Sequence, residues 1–294
     1  MELWQAFILG VIEGITEYLP VSSTGHLLVA QHLMGIDAGS HAAKAAADTF
    51  AICIQGGAIL AVLGLYYRRV LQMMRGVCGQ DADGLKLAIS IVVGFLPAAV
   101  IGLLCNDWIE AKLFGFWPII FAWVVGGVLI LVAARWRRGN PPKNGGRDLL
   151  ELSWKMALVI GLLQCVAMWP GTSRSLMTIV GGLLVGLSLP AAVEYSFLLG
   201  VLTLTAATVK KGVWKVHGLD ASVDVWFGGA KLMWQTYGPL PMVVGVVAAT
   251  VSAALAVKWL VSYLQSHGLS LFGWYRIALG VGLGLLVAAG VFNA

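Results

Sequence analysis

A short stretch near the start of the chain, Glu13–His26, carries two carboxylates, an imidazole and a run of hydroxyls among apolar residues. Ionisable groups in an apolar segment are costly unless they are paired or used. Glu13 and Glu17 are four residues apart, so both carboxylates project from one face of a helix. Such a pair could bind a divalent cation or act as a general base. The alternative is a pair at a helix end that reaches water.

The hydroxyl run Ser22-Ser23-Thr24 begins the second helix of this stretch. Free backbone N–H groups and the positive end of the helix dipole bind anions at such a position, although either serine alone could simply cap the helix. His26 lies three residues after Ser23, one helical turn away, where its imidazole could accept the hydroxyl proton or attack phosphorus itself. The pattern therefore predicts a phosphate site in which Ser23 or His26 is the reactive group.

A second polar run supplies a glycine that allows close backbone approach, hydroxyls that donate hydrogen bonds, and an arginine fork suited to phosphate oxygens. These residues are Gly171, Thr172, Ser173, Arg174 and Ser175. An arginine at membrane depth is rarely without a role, and the alternative for Arg174 is a structural pairing with Glu13 or Glu17. We expect the second run to be the part of the site that binds phosphate.

The charges of the two runs indicate which ligand fits. Two helix N-termini and Arg174 favour an anion, whereas Glu13 and Glu17 would repel one unless a cation lies between them. A diphosphate of about three negative charges, with two carboxylates and one arginine, leaves an excess of about −4, which a bound Mg²⁺ or Ca²⁺ would halve. The sequence thus predicts a metal-assisted phosphate site inside the membrane, in which Glu13 and Glu17 either bind the metal or act as a general base.

The elements that position these residues are apolar helices. Of the 294 residues 59% are hydrophobic and 11% are charged, and the mean hydropathy is +0.87. This composition predicts an all-α polytopic membrane protein. The net charge of +5 comes from basic residues in loops rather than from a patch interleaved with aromatics, so nucleic-acid binding is not expected. The four cysteines occur singly, which indicates neither a zinc site nor a disulfide framework, and the N-terminus lacks the basic region of a signal peptide.

The apolar runs form the same pattern twice. A pair of short helices precedes three spans each time, and the first pair is broken at Pro20. The predicted pairs are at about 3–35 and 155–187, and the predicted spans are at about 49–67, 87–105, 116–134, 190–209, 239–262 and 272–292. Three residues of the first pair align with three of the second at one offset, namely Gly10, Glu13 and Tyr18 with Gly161, Gln164 and Trp169. After a one-residue gap, three more align, namely Pro20, Ser22 and Ser23 with Pro170, Thr172 and Ser173.

We therefore predict a first repeat over 1–138, a cytoplasmic connector over 139–154 and a second repeat over 155–294, each a re-entrant helical hairpin plus three transmembrane helices. Three spans is an odd number, so the repeats have inverted topology and their hairpins should meet near the midplane. Most basic residues lie at 68–86, at 135–155, and beside the last loop at Lys258 and Arg276. The positive-inside rule then places both termini and the mouth of the first hairpin outside.

In its two polar runs the sequence resembles the undecaprenyl-diphosphate phosphatase family, also known for bacitracin resistance. Glu13–His26 looks like the first signature of that family and Pro170–Ser175 looks like the second, and the resemblance covers nearly the whole chain. It departs from the usual pattern of the family at Leu176, because a glycine commonly follows the second signature. It also departs in the link Lys210–Gly238, which is longer than usual.

The resemblance implies hydrolysis of the polyprenyl diphosphate lipid carrier to the monophosphate and inorganic phosphate, which recycles the carrier for cell-wall synthesis. It implies a bacterial plasma (inner) membrane location with a site open to the exterior or periplasm. It also implies that Glu13 and Glu17 bind the metal or act as acid and base, that Ser23 or His26 is the nucleophile or its activator, and that Arg174 binds the phosphates. The wider phosphate-binding set is Ser22, Thr24, Gly171, Thr172, Ser173, Arg174 and Ser175.

The main alternative is a transporter or lipid-carrier flippase, because inverted repeats with broken helices are typical of transporters. It predicts movement of the lipid between leaflets without release of phosphate. A structural membrane subunit would leave the buried ionisable residues unexplained. The role of Glu194 in the fourth span, and whether the protein forms a homo-oligomer, stay open from sequence.

Overall fold

The computed structural model of the protein describes residues 1–36, 41–141, 145–213, 216–217, 224–225 and 228–291. In these residues the chain forms twelve α-helices, one 3-10 turn at Leu149–Glu151 and a pair of two-residue strands. The helices are α1 (Leu3–Glu17), α2 (Ser23–Leu33), α3 (His41–Leu65), α4 (Tyr67–Val77), α5 (Ala82–Leu113), α6 (Phe116–Gly139), α7 (Trp154–Val166), α8 (Arg174–Leu184), α9 (Leu189–Val213), α10 (Gly228–Tyr237), α11 (Pro239–Ser266) and α12 (Ser270–Ala288). The antiparallel strands are β1 (Val216–His217) and β2 (Asp224–Val225).

Six of the described helices are long and apolar enough to cross a membrane. Their apolar segments are Ala45–Leu65, Ala82–Cys105, Phe116–Gly139, Leu189–Lys210, Pro239–Ser266 and Ser270–Ala288. The predicted spans agree with these segments to within a few residues, so the prediction of an all-α polytopic membrane protein is confirmed. The short helices predicted on either side of the two breaks also form, as α1, α2, α7 and α8.

Two further short helices lie between the spans. Residues 68–86 were expected to form a loop, but α4 forms there because residues 68–75 are all helix-compatible and include neither glycine nor proline. α10 forms in the link Lys210–Gly238. Several residues of this link, and part of the predicted connector 139–154, lie outside the described residues. Both halves of the chain now show one order: a short helix pair, a span, a short helix and two spans.

The described helices group into two compact units. The first consists of Met1–Tyr18, Ser23–Leu65 and Val201–Val257. Apolar side chains of α1, α2, α3, α10 and α11 form its buried core, namely Ala6, Leu9, Leu27, Phe50, Ile54, Met233 and Ala249. Small residues bring its helices close together: a Cβ on Gly14 would overlap Ser252 of α11, and one on Gly57 of α3 would overlap the carbonyl oxygen of Val246.

The second unit consists of Leu19–Ser22, Tyr66–Gly200 and Lys258–Ala294. It therefore includes the break of the first helix pair together with the whole of the second pair. α6 and α12 pack tightly because glycines face each other, with an ideal Cβ on Gly127 only 2.7 Å from the carbonyl oxygen of Gly273. Tyr195 of α9 donates a hydrogen bond of 2.8 Å to the carbonyl oxygen of Ser90 in α5.

Each unit pairs a hairpin helix from one half of the chain with a span from the other half. In the first unit a Cβ on Gly10 would overlap the carbonyl oxygen of Gly245, and in the second unit a Cβ on Gly161 would overlap that of Gly94. Gly161 follows Gly10 by the same number of residues as Gly245 follows Gly94. These equivalent contacts support the predicted duplication, whereas the inverted orientation stays a prediction. The compact units do not follow the predicted boundaries 1–138 and 155–294.

We expect Gly161→Ala to lower the thermal stability of the protein although alanine favours helices. The added methyl group would overlap the main chain of Gly94, and overpacking of this kind costs about 1–3 kcal/mol. Gly282→Ala in α12 is the matched control, because no atom lies within 4 Å of the position that its methyl group would take. Thermal unfolding in detergent should show a lower midpoint for Gly161→Ala and an unchanged or higher one for Gly282→Ala; equal midpoints would contradict the close α5–α7 packing.

Candidate active site

The reactive groups of the first polar run lie in the first unit. Glu13 is fully buried in α1, and Glu17, the last residue of α1, is 7% exposed. Ser23 begins α2 and is also buried. Its Oγ donates a hydrogen bond of 2.5 Å to Oε2 of Glu17, the short contact that a hydroxyl makes with a carboxylate. The structure thus brings Glu17 and Ser23 together and gives the serine a carboxylate that can accept its proton.

The other predicted residues of the first run are neighbours of Ser23 in the chain. Ser22 is buried, whereas Thr24 and His26 on the first turn of α2 are half-buried. His26 was considered as an acceptor for the hydroxyl proton of Ser23, and the short bond to Glu17 favours the carboxylate in that role.

Both hairpins break in the same unusual way. Ser22 and Ser173, each the residue before the second helix of its pair, have positive φ values of 74° and 77°. Residues with side chains rarely adopt this conformation, and it costs of order 1–3 kcal/mol. Such backbone strain is concentrated at functional sites, and both serines lie at predicted phosphate-binding positions. Ser173 follows Ser22 by the offset that relates Gly161 to Gly10, so Ser22 corresponds to Ser173 rather than to Thr172, and the hairpins align without the predicted one-residue gap.

The hydroxyls of the second polar run bond to protein groups in the second unit. Ser173 caps α8, because its Oγ accepts a bond of 3.2 Å from the backbone N–H of Leu176. Ser175 is fully buried, lies 3.0 Å from the Oγ of Ser173, and donates a bond of 2.9 Å to the carbonyl oxygen of Leu19. Ser175 therefore links the second run to the break of the first by a hydrogen bond. The phosphate-binding roles of Ser173 and Ser175 stay predictions.

Gly171 and Thr172 complete the second loop. Gly171 has a φ of +91°, and a Cβ there would lie 3.0 Å from the backbone of Ile119, so only glycine fits without strain. Thr172 is half-buried, and its backbone N–H donates a bond of 3.1 Å to the carbonyl oxygen of Trp169.

Arg174 is the first residue of α8 and is half-buried. Its Nη1 donates a bond of 2.9 Å to the carbonyl oxygen of Ser196 in α9. Gly200, one turn further along α9, makes room for it, since a Cβ there would overlap the guanidinium. The hydroxyl of Ser196 also lies 2.7 Å from that of Thr178 in α8, which fixes the two helices against each other. The guanidinium is thus oriented by α9 at a helix N-terminus, a place that favours an anion.

A protein-family model described as Bacitracin resistance protein BacA matches residues 6–282, which include both polar runs. The chain belongs to this family. The resemblance read from Glu13–His26 and Pro170–Ser175 is thereby confirmed.

Curated relatives match the BacA-family chain over almost all of its length. A protein of Sorangium cellulosum called undecaprenyl-diphosphatase is 43% identical over 277 residues, which are 94% of this chain and 84% of the relative. Undecaprenyl-diphosphatase 2 of Rhodospirillum rubrum is 42% identical over 280 residues, covering 95% and 93% of the two chains. An undecaprenyl-diphosphatase of Acinetobacter baumannii is 39% identical over 292 residues, covering 99% and 97%.

Three further residues of this BacA-family chain contact the two polar runs, and they were not predicted from the sequence. Ser196 and Gly200 orient Arg174 from a span that lies beyond the signatures, and no local pattern marks them. Arg276 was counted as a basic residue beside the last loop, which is wrong. It lies inside α12 and is fully buried in the second unit, so it has no part in the positive-inside count. The sequence did contain a signal for this burial, because Arg276 falls within the predicted span 272–292, and an arginine inside a span usually faces the protein interior.

Glu194 has a partner that the sequence could not assign. Its Oε1 accepts a bond of 2.8 Å from Nε of Arg69 in α4. Burial, together with the negative charge of Glu194, raises the pKa of Tyr66 to about 12, so this phenol stays neutral at physiological pH. Glu194 thus joins α9 to α4 in the second unit of the BacA-family chain.

Proposed function

We propose that the protein is an integral membrane phosphatase that hydrolyses undecaprenyl diphosphate, or a similar polyprenyl diphosphate, to the monophosphate and inorganic phosphate. The observation that carries this proposal is the buried bond between Ser23 and Glu17 in the first signature. A serine hydroxyl bonded to a carboxylate suits nucleophilic attack, since the base and the nucleophile are already in contact. Relatives named undecaprenyl-diphosphatase, which match nearly the whole chain, supply the substrate class.

In the proposed reaction the Oγ of Ser23 attacks the terminal phosphorus while its proton passes to Oε2 of Glu17. The bond between this phosphorus and the bridging oxygen breaks, and the lipid monophosphate leaves with the bridging oxygen. Water then cleaves the phosphoserine, which releases inorganic phosphate and restores Ser23. His26 is the alternative nucleophile, with a phosphohistidine in place of the phosphoserine. Arg174 and the N-terminal N–H groups of α8 bind phosphate oxygens, on which charge builds up during phosphoryl transfer.

Glu13 and Glu17 would bind a divalent cation, Mg²⁺ or Ca²⁺. Among the residues that the structure describes, no group of three or more His, Cys, Asp or Glu side chains is placed to hold a metal by itself. Two carboxylates on one helix nevertheless fit Mg²⁺, which typically uses one or two carboxylates together with waters and phosphate oxygens of the substrate. The cation would neutralise negative charge of the diphosphate. It would also offset the free-energy cost of burying the carboxylate of Glu13.

The protein is a multi-pass membrane protein, and its relatives are bacterial. We place it in the bacterial plasma membrane with its active site open to the exterior or periplasm. The basic segments 68–86 and 135–155 favour an inner location for the opposite face, even without Arg276. In that position it would return the lipid carrier to cell-wall synthesis. Removal of the diphosphate form of the carrier would also account for the bacitracin resistance in the family's description.

The test is phosphate release by the purified protein in detergent with undecaprenyl diphosphate and Mg²⁺. We expect one inorganic phosphate for each lipid monophosphate formed, and loss of this activity with EDTA. A flippase would instead move labelled lipid between the leaflets of vesicles and release no phosphate. That result, obtained with protein that unfolds cooperatively, would contradict the proposed function.

A further inference from the structure

The second unit contains a buried cation whose hydrogen bonds, among the described residues, go to main-chain carbonyl oxygens. Arg276 of α12 is fully buried, and its guanidinium donates four hydrogen bonds in the second unit. The acceptors are the carbonyl oxygens of Gly171 at 2.7 Å, Ala122 at 2.8 Å, Pro20 at 3.3 Å and Trp123 at 3.4 Å. A buried charge is costly, so a guanidinium in an apolar helix with a hydrogen bond from each of its three nitrogens indicates a specific task.

Two of these acceptors lie in the loops that break the two hairpins. Pro20 is three residues before Ser23, and Gly171 is three residues before Arg174. Gly171 also follows Pro20 by the same number of residues as Ser173 follows Ser22, so Arg276 bonds equivalent carbonyls of the two loops. One side chain therefore connects the two breaks, each of which ends in a serine with positive φ and is followed directly by a proposed site residue.

The surrounding helices are shaped to admit this side chain. A Cβ on Gly126 of α6 would overlap the guanidinium, and one on Gly127 would lie 3.2 Å from the Cβ of Arg276. The two remaining bonds, to Ala122 and Trp123, fix the guanidinium against α6. A planar guanidinium can serve several acceptors at once in a fixed geometry, which a lysine ammonium on a flexible stem cannot reproduce.

We propose that Arg276 is a positioning residue that sets the backbone of both loops, from which the chain continues directly into Ser23 and Arg174. Its bonds go to the protein main chain, so it acts through the loops rather than on the phosphate. This inference rests on the proposed phosphatase function only for its effect on rate; the effect on the loops is independent of any activity. Misplacement of reacting groups by about 1 Å can cost a hundredfold in rate, which sets the expected scale.

The experiment compares Arg276→Lys and Gly126→Ala with the parent protein. The lysine variant keeps the charge and loses the fork, whereas the alanine variant keeps Arg276 and displaces its guanidinium. The matched controls are Arg138→Lys, at an exposed arginine, and Gly282→Ala, at an open glycine. Two quantities are measured on each purified protein: amide hydrogen exchange of peptides that cover 19–22 and 171–175, and kcat and KM for phosphate release from undecaprenyl diphosphate.

We expect exchange to accelerate at Val21 and Thr172, whose N–H groups make turn bonds within the two loops. We also expect kcat to fall about ten- to a hundredfold in both variants while KM changes by less than threefold. The controls should match the parent. If Arg276→Lys does not fold, Gly126→Ala decides the question by itself.

A merely structural role would lower thermal stability but leave loop exchange and the kcat of folded protein at parent values, and that result would overturn the inference. If the parent released no phosphate, the proposed function would fail, whereas loop exchange would still decide the role of Arg276.

Discussion

Arg174→Ala should lower phosphate release from undecaprenyl diphosphate by about 10²- to 10³-fold, the usual loss when one preorganised donor to a developing negative charge is removed. The guanidinium lies at the N-terminus of α8 and is oriented by the carbonyl oxygen of Ser196. Because the side chain is only half-buried, its truncation should leave the fold intact. The measurement is initial-rate phosphate release at saturating lipid, with thermal unfolding of the same sample.

Two comparisons isolate the role of Arg174. Arg75→Ala removes an exposed arginine from α4 and should keep parent activity. Gly200→Ala leaves Arg174 in the sequence but puts a methyl group where its guanidinium lies, so it should also lose much of the activity. Phosphate release by Arg174→Ala at a rate near that of the parent would remove Arg174 from the site.

Glu17→Gln should have a comparably large effect, a loss of about 10²- to 10⁴-fold, which is the range expected when a general base is removed. The amide oxygen can still accept the bond from Ser23, but it cannot take up the proton and is a poorer ligand for a divalent cation. The change is close to isosteric, so the midpoint of thermal unfolding should shift little. Phosphate release is measured across a series of Mg²⁺ concentrations, which separates a weakened metal site from a lost base.

The matched control is Glu151→Gln, at an exposed carboxylate whose Oε2 accepts a bond from the backbone N–H of Asp148. A glutamine can keep that bond, so activity should not change. If excess Mg²⁺ restored Glu17→Gln fully, Glu17 would be a metal ligand alone and the base would have to be another group, with His26 the first candidate. Parent-like activity without added metal would contradict both roles.

Much of the fold could be predicted because its signals are local. Long apolar runs reveal the six spans, and Pro20 with the hydroxyls that follow it reveals the first break. α4 was missed because its arginines mark the end of a span as readily as the polar face of a short helix. The grouping of helices into two units was missed because it depends on contacts such as Gly10 with Gly245, which join residues far apart in the chain and leave no periodic pattern.

The site residues can also be divided into those that a local sequence pattern reveals and those that depend on the packing of distant helices. Glu17 and Ser23 are six residues apart, so their contact follows from a short break between two helices. Ser196, Gly200 and Arg276 belong to helices outside both signatures, and their roles depend on which spans pack against α6 and α8. Arg276 was misread because hydropathy treats an arginine near a span end as a loop residue, whereas the carbonyls exposed by two broken helices make its burial favourable.

The bonds of Arg276 also bear on how the protein matures. The chain leaves the ribosome from its N-terminus, so Pro20 and Gly171 enter the membrane well before α12 has been synthesised. Until α12 inserts, neither loop has the guanidinium that holds its carbonyl. An unfinished or C-terminally truncated chain could display both signatures and still lack an ordered site, so the last helix makes activity conditional on complete synthesis.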